Sequence, residues 1–517
     1  MIFFRATWQQ LRSFSGFGGD ATYLWPRWIV LRGVGLVYLC IFLGILQEGR
    51  ALVGPHGLAP IANYCALAHQ VLPNVLVRVL HVPSLFLISS HPLVISGLTW
   101  VGFGAALALL LNLWPRFALF ACWAIFLSFV TTWEVFSPTL NDKLMLETAL
   151  VCLPFAPAGF RPGLGAASPP RPITVFMTRW LIIRIMLVAG LAKVLGSDRH
   201  WLDFTFMERM YETSPAPTVL GYHVFHLPHA FHVGEILLTF AAELVAPILA
   251  IFGGRRGRGI AIVTWTIFQA GIQLTGNFGW LNTAAFTLGL MFLDDQMIAA
   301  ALRRLRLRGW GARVAAVPPA VVRPGRRFVI LAAVLWLHFG LTVYFTVLTL
   351  RGGLTPGFPT FRASPLEFVF REFRSANCYH LYVSTLPARD DVEFAGTNDR
   401  GATWRPYPFR YKPQFEYRMA PFLAPRFGRF EATLQIVLDS RLQVSLIPDV
   451  ARALVRGDPE VTGLFAGNPF PGAPPTAVRM MVYRYTFTDL KTFRETGRYW
   501  NKEYVGDYAP PVSAGRP

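Results

Sequence analysis

The sequence predicts a polytopic α-helical membrane protein carrying a β-rich, sandwich-like extracytoplasmic domain at its C-terminal end. Three observations predict it. Hydrophobic residues make up 53% of the 517 and charged residues only 15%, at a mean hydropathy of +0.42, a balance no ordinary soluble surface reaches. Apolar runs near the ~20-residue length of a membrane crossing recur through the first two thirds of the chain. From Phe361 onward the texture changes to short alternating runs separated by turn residues, the period of half-buried strands.

Nine segments fit the first two observations, at about 28–46, 94–113, 117–133, 144–159, 175–195, 236–252, 259–275, 279–293 and 328–350. The fourth contains Pro154 and Pro157 and reads as short or re-entrant, which sets the expected number of spans at seven to nine. Arginine placement orients them. Arg5, Arg12 and Arg27, Arg116, the RPGLGAASPPRP loop at 161–172, GGRRGRG at 253–259 and RRLRLRG at 303–309 all fall on one side if nine spans alternate, and that side is cytoplasmic. The formal charge of +19 is thereby accounted for by orientation signals, with no nucleic-acid partner implied. The same alternation divides the chain into a membrane domain, 1–350, with outer loops 47–93 and 196–235, and an outer domain, 351–517. The first apolar run, starting near Trp28, lacks a following cleavage site and is expected to stay as a membrane helix.

In the tail, VRMMVYRYTF at 478–487 reads as a strand, and DVEFAGTNDRGATWRPYPF at 391–409 as two strands joined through a polar turn. A helical piece is expected between Ile447 and Leu464, where apolar residues recur at helical spacing. The five cysteines show no CxxC or other metal spacing. No cofactor or metal is implied.

Polar residues in apolar helices carry the functional signal, because hydrocarbon tolerates them only with partners. Lys193 is one of only five lysines, and it follows eleven residues of which Arg184 alone is charged. A desolvated amine is a candidate catalytic base; the simpler placement is a snorkelling side chain at the helix end. Arg184 lies about two and a half turns before Lys193 and so on the opposite face. Its expected partner is one of Asp142, Glu147, Glu235 and Glu243, each bordering or entering an apolar segment. Gln269 and Gln273 share a face at i,i+4, and Asn277 follows. The outer loop adds a cap of Trp201, Asp203, Glu208, Tyr211 and Glu212, and five histidines from His200 to His232 whose spacing Pro228 interrupts. Lys193, Gln273, Asn277 and the cap are expected to converge near the outer boundary. No nucleophile–base–acid set, phosphate loop or HExxH appears in the outer domain.

The run RWLIIRIMLVAGLAKVLGSDRHWLDFTFMERMYETSPAPTVLGYHVF and FQAGIQLTGNFGWLNTAAFTLGLMFLDD, with NDKLMLETALVCLPFAP upstream and VEFAGTNDRGATWRPYPFRYKP, NPFPGAPPTAVRMMVYRYTFTD and YVGDYAPP downstream, resembles the lipase maturation factor family over about 140–515. FEATLQIVLDSR, beginning at Phe430, departs from an aromatic-rich family segment. The resemblance implies a membrane helper of the endoplasmic reticulum that assists folding of secreted lipases. The arginine bias and compact loops point instead to a bacterial inner membrane, with the C-terminal domain periplasmic. A shorter stretch, AGLAKVLGSDRHWLDF, is similar to a segment of vitamin K-dependent carboxylases in which a lysine serves as base, and Lys193 meets that lysine. Two function readings result: a maturation factor for exported clients such as lipases, and a membrane enzyme using Lys193 as base on a lipid-soluble or quinone-like substrate.

Overall fold

A helix satisfies every backbone group within its own segment, which hydrocarbon demands, and each of the nine expected segments is helical. The computed structural model describes residues 2–18, 21–137, 140–214, 216–316, 318, 325–351, 365–426, 428–440 and 445–515. The helices run Leu24–Val53, Pro92–Leu110, Pro115–Thr132, Leu140–Phe155, Pro172–Leu195, His229–Phe252, Gly254–Thr275, Leu281–Phe292 and Arg326–Arg351. Pro92, Pro115 and Pro172 open three of them, where a missing N–H costs nothing. Six are long and apolar enough to cross a membrane, and a seventh arises if Leu281–Phe292 and Asp295–Arg304, bent by 99°, form one span. That is the lower end of the expected range. Leu140–Phe155 has 16 residues and buries Asn141, Asp142 and Glu147, and Gly254–Thr275 opens among arginines and carries two glutamines.

The C-terminal region differs from the expected sandwich. It holds one antiparallel sheet in the order β2-β1-β3-β4, with β1 Arg389–Thr397, β2 Arg405–Pro406, β3 Ala477–Phe487 and β4 Trp500–Ser513. Phe394 pairs with Met480, and Val392 with Val482. Helices take the place of a second sheet. Arg429–Ser440 and Leu446–Val455 pack on the strands, the latter burying Ile447, Val450, Ala451 and Leu454 at the spacing of a single helix face. Tyr485, Phe487 and Trp500 meet Tyr211 and Tyr222 of the outer loop instead. The sheet is therefore covered by helices of its own domain and by the cap.

The helix Arg326–Arg351 is followed by residues 352–364, which lie outside the described residues. Beyond it the chain returns into the bundle. Arg184 forms an ion pair with Glu147, both fully buried. The other Glu147 oxygen accepts from the Asn377 backbone N–H (3.0 Å), the Asn377 amide (3.0 Å) and the Tyr379 hydroxyl (2.8 Å), and His338 lies 3.5 Å from the oxygen that faces Arg184. One carboxylate thus joins three membrane helices to the outer region. A second tie is Arg429, whose guanidinium is bidentate to Asp142 at 2.7 and 3.0 Å, a planar match that resists displacement.

Removing one member of a buried pair strands the other charge, at about 3–5 kcal/mol. Glu147→Ala is expected to cost that much stability, read as a fall in unfolding temperature in detergent. Arg452→Ala, which breaks an exposed pair with Asp449, is expected to cost less than about 1 kcal/mol.

Candidate functional site

Lys193 occupies the last turn of Pro172–Leu195, and small residues before it let another helix come close. A Cβ on Gly190 would lie 2.7 Å from Leu244 Cδ2 and 2.9 Å from Glu243 Cβ. Only glycine fits there. The approaching segment, Ala241–Val245, is a π-helical turn within His229–Phe252, and it delivers Glu243 to Lys193.

The amine lies 2.9 Å from Glu243 Oε1, to which it donates, and 2.8 Å from Oε2. It also donates to the Leu381 carbonyl at 2.9 Å and, at 3.5 Å, to that of Ala189. Its Nζ is 5.1 Å from the Trp201 ring centroid, within cation–π range. At 2% exposure Lys193 does not snorkel. The amine is inside the bundle because Glu243 and Leu381 replace its water. All its donors are engaged, so no lone pair faces a substrate.

The cap closes over this pair. Trp201 stacks on Phe206 and donates its indole N–H to the Tyr382 carbonyl at 3.0 Å. The Tyr211 hydroxyl donates to Glu235, whose other oxygen meets His232 at 2.8 Å. Glu212 accepts the Phe487 backbone N–H at 2.6 Å, and burial pushes its carboxyl above the usual range despite that bond and nearby Arg389. Glu208 pairs with His229 at an exposed site, and Asp203 is exposed. The histidines are dispersed: His200 lies in the turn Arg199–Trp201, His223 on Val219–Phe225 with His226 just past its end, and His229 and His232 on His229–Phe240, beyond the break at Pro228. Among the described residues no group of three or more His, Cys, Asp or Glu could hold a metal ion.

Beneath the cap lies a narrow cavity of about 80 Å³. Lys193, Trp201, Tyr211 and Glu243 line it, together with Ile185, Met186, Phe268, Gln269, Ile272, Asn282 and Tyr382. Gln273 and Asn277 do not. Gln273 accepts from Thr283 at 3.3 Å. Asn277 is a clasp: its amide donates to the Ala216 and Pro421 carbonyls at 3.0 and 2.9 Å, and its oxygen accepts the Leu423 N–H at 2.7 Å. Gln269 was expected to be structural, and Asn282 carried no signal because one amide near a helix start reads as a cap. Tyr382 and Leu381 are invisible as lining residues since nothing local ties position 381 to position 193.

These features define a polytopic membrane protein whose sheet domain is clasped onto one end of its bundle. A family model for the lipase maturation factor transmembrane domain matches residues 25–300, and one for the lipase maturation factor C-terminal domain matches 375–510. The chain belongs to the lipase maturation factor family. It is 27% identical to mouse (Mus musculus) lipase maturation factor 1 over 512 residues, covering 95% of this chain and 88% of the relative. The human (Homo sapiens) lipase maturation factor 1 is 28% identical, with coverage of 95% and 88%, and the rat (Rattus norvegicus) lipase maturation factor 2 is 25% identical, with 95% and 84%. No solved structure matches the chain.

If the Lys193–Glu243 pair is structural, its two single substitutions and its double substitution separate cleanly. Lys193→Met and Glu243→Leu each leave one buried charge unpaired and are expected to lower the unfolding temperature sharply. The double variant is expected to recover most of that loss, since an apolar pair of similar volume often replaces a buried ion pair without penalty. Thermal unfolding of the four proteins in one detergent measures the coupling.

Proposed function

We propose that this chain is a membrane-embedded maturation factor that assists the folding of exported clients, secreted lipases among them, and that the cap and sheet domain form its client side. The observation that carries this is the family match, which runs through both the membrane and the C-terminal regions. Support for the client side comes from the clasp of Asn277 and the Asp142–Arg429 pair, which hold the sheet domain at the end of the bundle away from the arginine loops. Those loops are expected to face the cytoplasm. A bacterial inner membrane, with the sheet domain in the periplasm, rests on the arginine bias and compact loops.

The competing reading, Lys193 as a base on a lipid-soluble or quinone-like substrate, requires a free amine lone pair. Glu243, Leu381 and Ala189 take up the donors of this amine. Nothing in the geometry favours that enzyme.

Deleting the gene in its host is expected to lower the specific activity of a secreted lipase while its transcript stays constant. Unchanged activity across the host's secreted hydrolases would remove the proposal. Orientation is checked separately. With native cysteines replaced, Gly472→Cys is expected to react with a membrane-impermeant maleimide added to intact spheroplasts, and Gly309→Cys only after lysis; both glycines have open space around them.

A further inference from the structure

The cavity under the cap has a chemistry that neither the family match nor the maturation role assigns. Ile185, Met186, Phe268, Ile272, Leu281 and Ala285 form its apolar walls, alongside polar groups of Tyr211, Ser214, Thr239 and Thr275. Its volume, about 80 Å³, far exceeds the ~10–15 Å³ that one water requires. Ile185 and Lys193 both line it, and their separation along one helix corresponds to about 12 Å at ~1.5 Å per residue. A space this long and this small in volume is a slot. It suits one flexible chain and excludes a fused ring system.

Besides Glu243 Oε2, which faces Lys193 at 2.8 Å, two polar atoms of the lining stand out. Gln269 Oε1 and Asn282 Nδ2 are buried and have no hydrogen-bond partner among the described residues, on side chains that are 5% and 4% exposed. Buried polar atoms are nearly always paired. One is an acceptor and the other a donor, and a hydroxyl is the smallest group that answers both, since its O–H donates while its oxygen accepts. Charge narrows the choice further. Lys193 and Glu243 neutralise each other and the lysine donors are committed, so a carboxylate or phosphate would enter without a counter-charge, at a heavy desolvation cost. Met207 and Met210, which also line the space, are flexible thioethers able to follow the contour of a chain.

We propose that this cavity binds a single-chain, uncharged, hydroxyl-bearing lipid, with its chain between Pro172–Leu195 and Gly254–Thr275 and its hydroxyl between Gln269 and Asn282. The lipid class is that of a monoacylglycerol or a long-chain alcohol. It completes the polar pairing of the bundle and so makes the packing beneath the cap depend on membrane composition.

The test uses the full chain purified in dodecyl maltoside, with 1-oleoylglycerol, oleate and 1-oleoyl-lysophosphatidic acid as thermal-shift probes and a diazirine-bearing monoacylglycerol for labelling. 1-Oleoylglycerol is expected to raise the unfolding temperature with a saturable dependence, as a ligand of the folded state must, and the two anions are not. Mass spectrometry is expected to place the label within 185–193, 268–272 or 281–285. The double variant Gln269→Leu, Asn282→Leu is expected to lose about tenfold or more of that labelling, the scale of losing the hydrogen bonds to a ligand. Its lipid-free unfolding temperature is expected to hold or rise, because two unpartnered polar atoms have gone. Label on other peptides, equal labelling of the variant, or an equal response to the anions overturns the proposal. So does a lipid-free loss of stability in the variant, which would show the amides paired within the protein.

Discussion

A carboxylate enclosed by apolar side chains must be neutralised and fully hydrogen-bonded, and the arrangement of this molecule follows from how Glu147 meets that demand. Its helix is too short to be a convincing crossing by itself. It is held because Arg184 on Pro172–Leu195, His338 on Arg326–Arg351, and Asn377 and Tyr379 from beyond the membrane region all converge on one carboxyl group. Packing of interchangeable Leu and Ile side chains permits many helix arrangements; a buried charge with five directional contacts permits far fewer.

The C-terminal region accordingly behaves as part of the bundle. Its hydrogen bonds to the bundle include those of Asn377 and Leu381, of Pro421, Leu423 and Arg429, and of Thr488, whose carbonyl accepts from the Tyr222 hydroxyl at 3.1 Å. Each falls on an end or a loop of the membrane helices on one side. The opposite side is organised by arginine. Arg27 donates to the carbonyls of Leu164, Gly165 and Ser168 at 2.7–2.9 Å, and Arg179 to that of Met291 at 2.8 Å. Charges that serve as topology signals in the sequence also tie down the connecting segments.

The helices were legible because a stretch of about twenty apolar residues has few other readings. Lys193, Arg184, Glu147 and Glu243 were legible as residues for a related reason: a charge in such a stretch is conspicuous. Their pairing was not. Arg184 and Glu147 are 37 positions apart, Lys193 and Glu243 50, and periodicity within one helix carries no information about the rotation of another. The outer domain was legible as β-rich, but only one sheet forms, because the segment from Arg429 to Ser440, for which no element was read, is a helix whose Phe430, Leu434 and Val437 form a buried face. The cavity was only half visible. Cap residues announce themselves by type, whereas Asn282 and Leu381 belong to it through tertiary placement alone.

The single π turn at Ala241–Val245 gives His229–Phe252 two phases. A π turn admits one residue more than an α turn, so side chains before residue 241 and after residue 245 follow two angular series that no one helical wheel superimposes. His232 and Glu235, which face the cap, belong to the first; Pro247 and Ala250, buried near the arginine loops, belong to the second. Glu243 sits at the dislocation. The outer half of this helix thereby faces the cap in one phase while the inner half stays in step with the bundle, and the mismatch between them is absorbed where Glu243 meets Lys193.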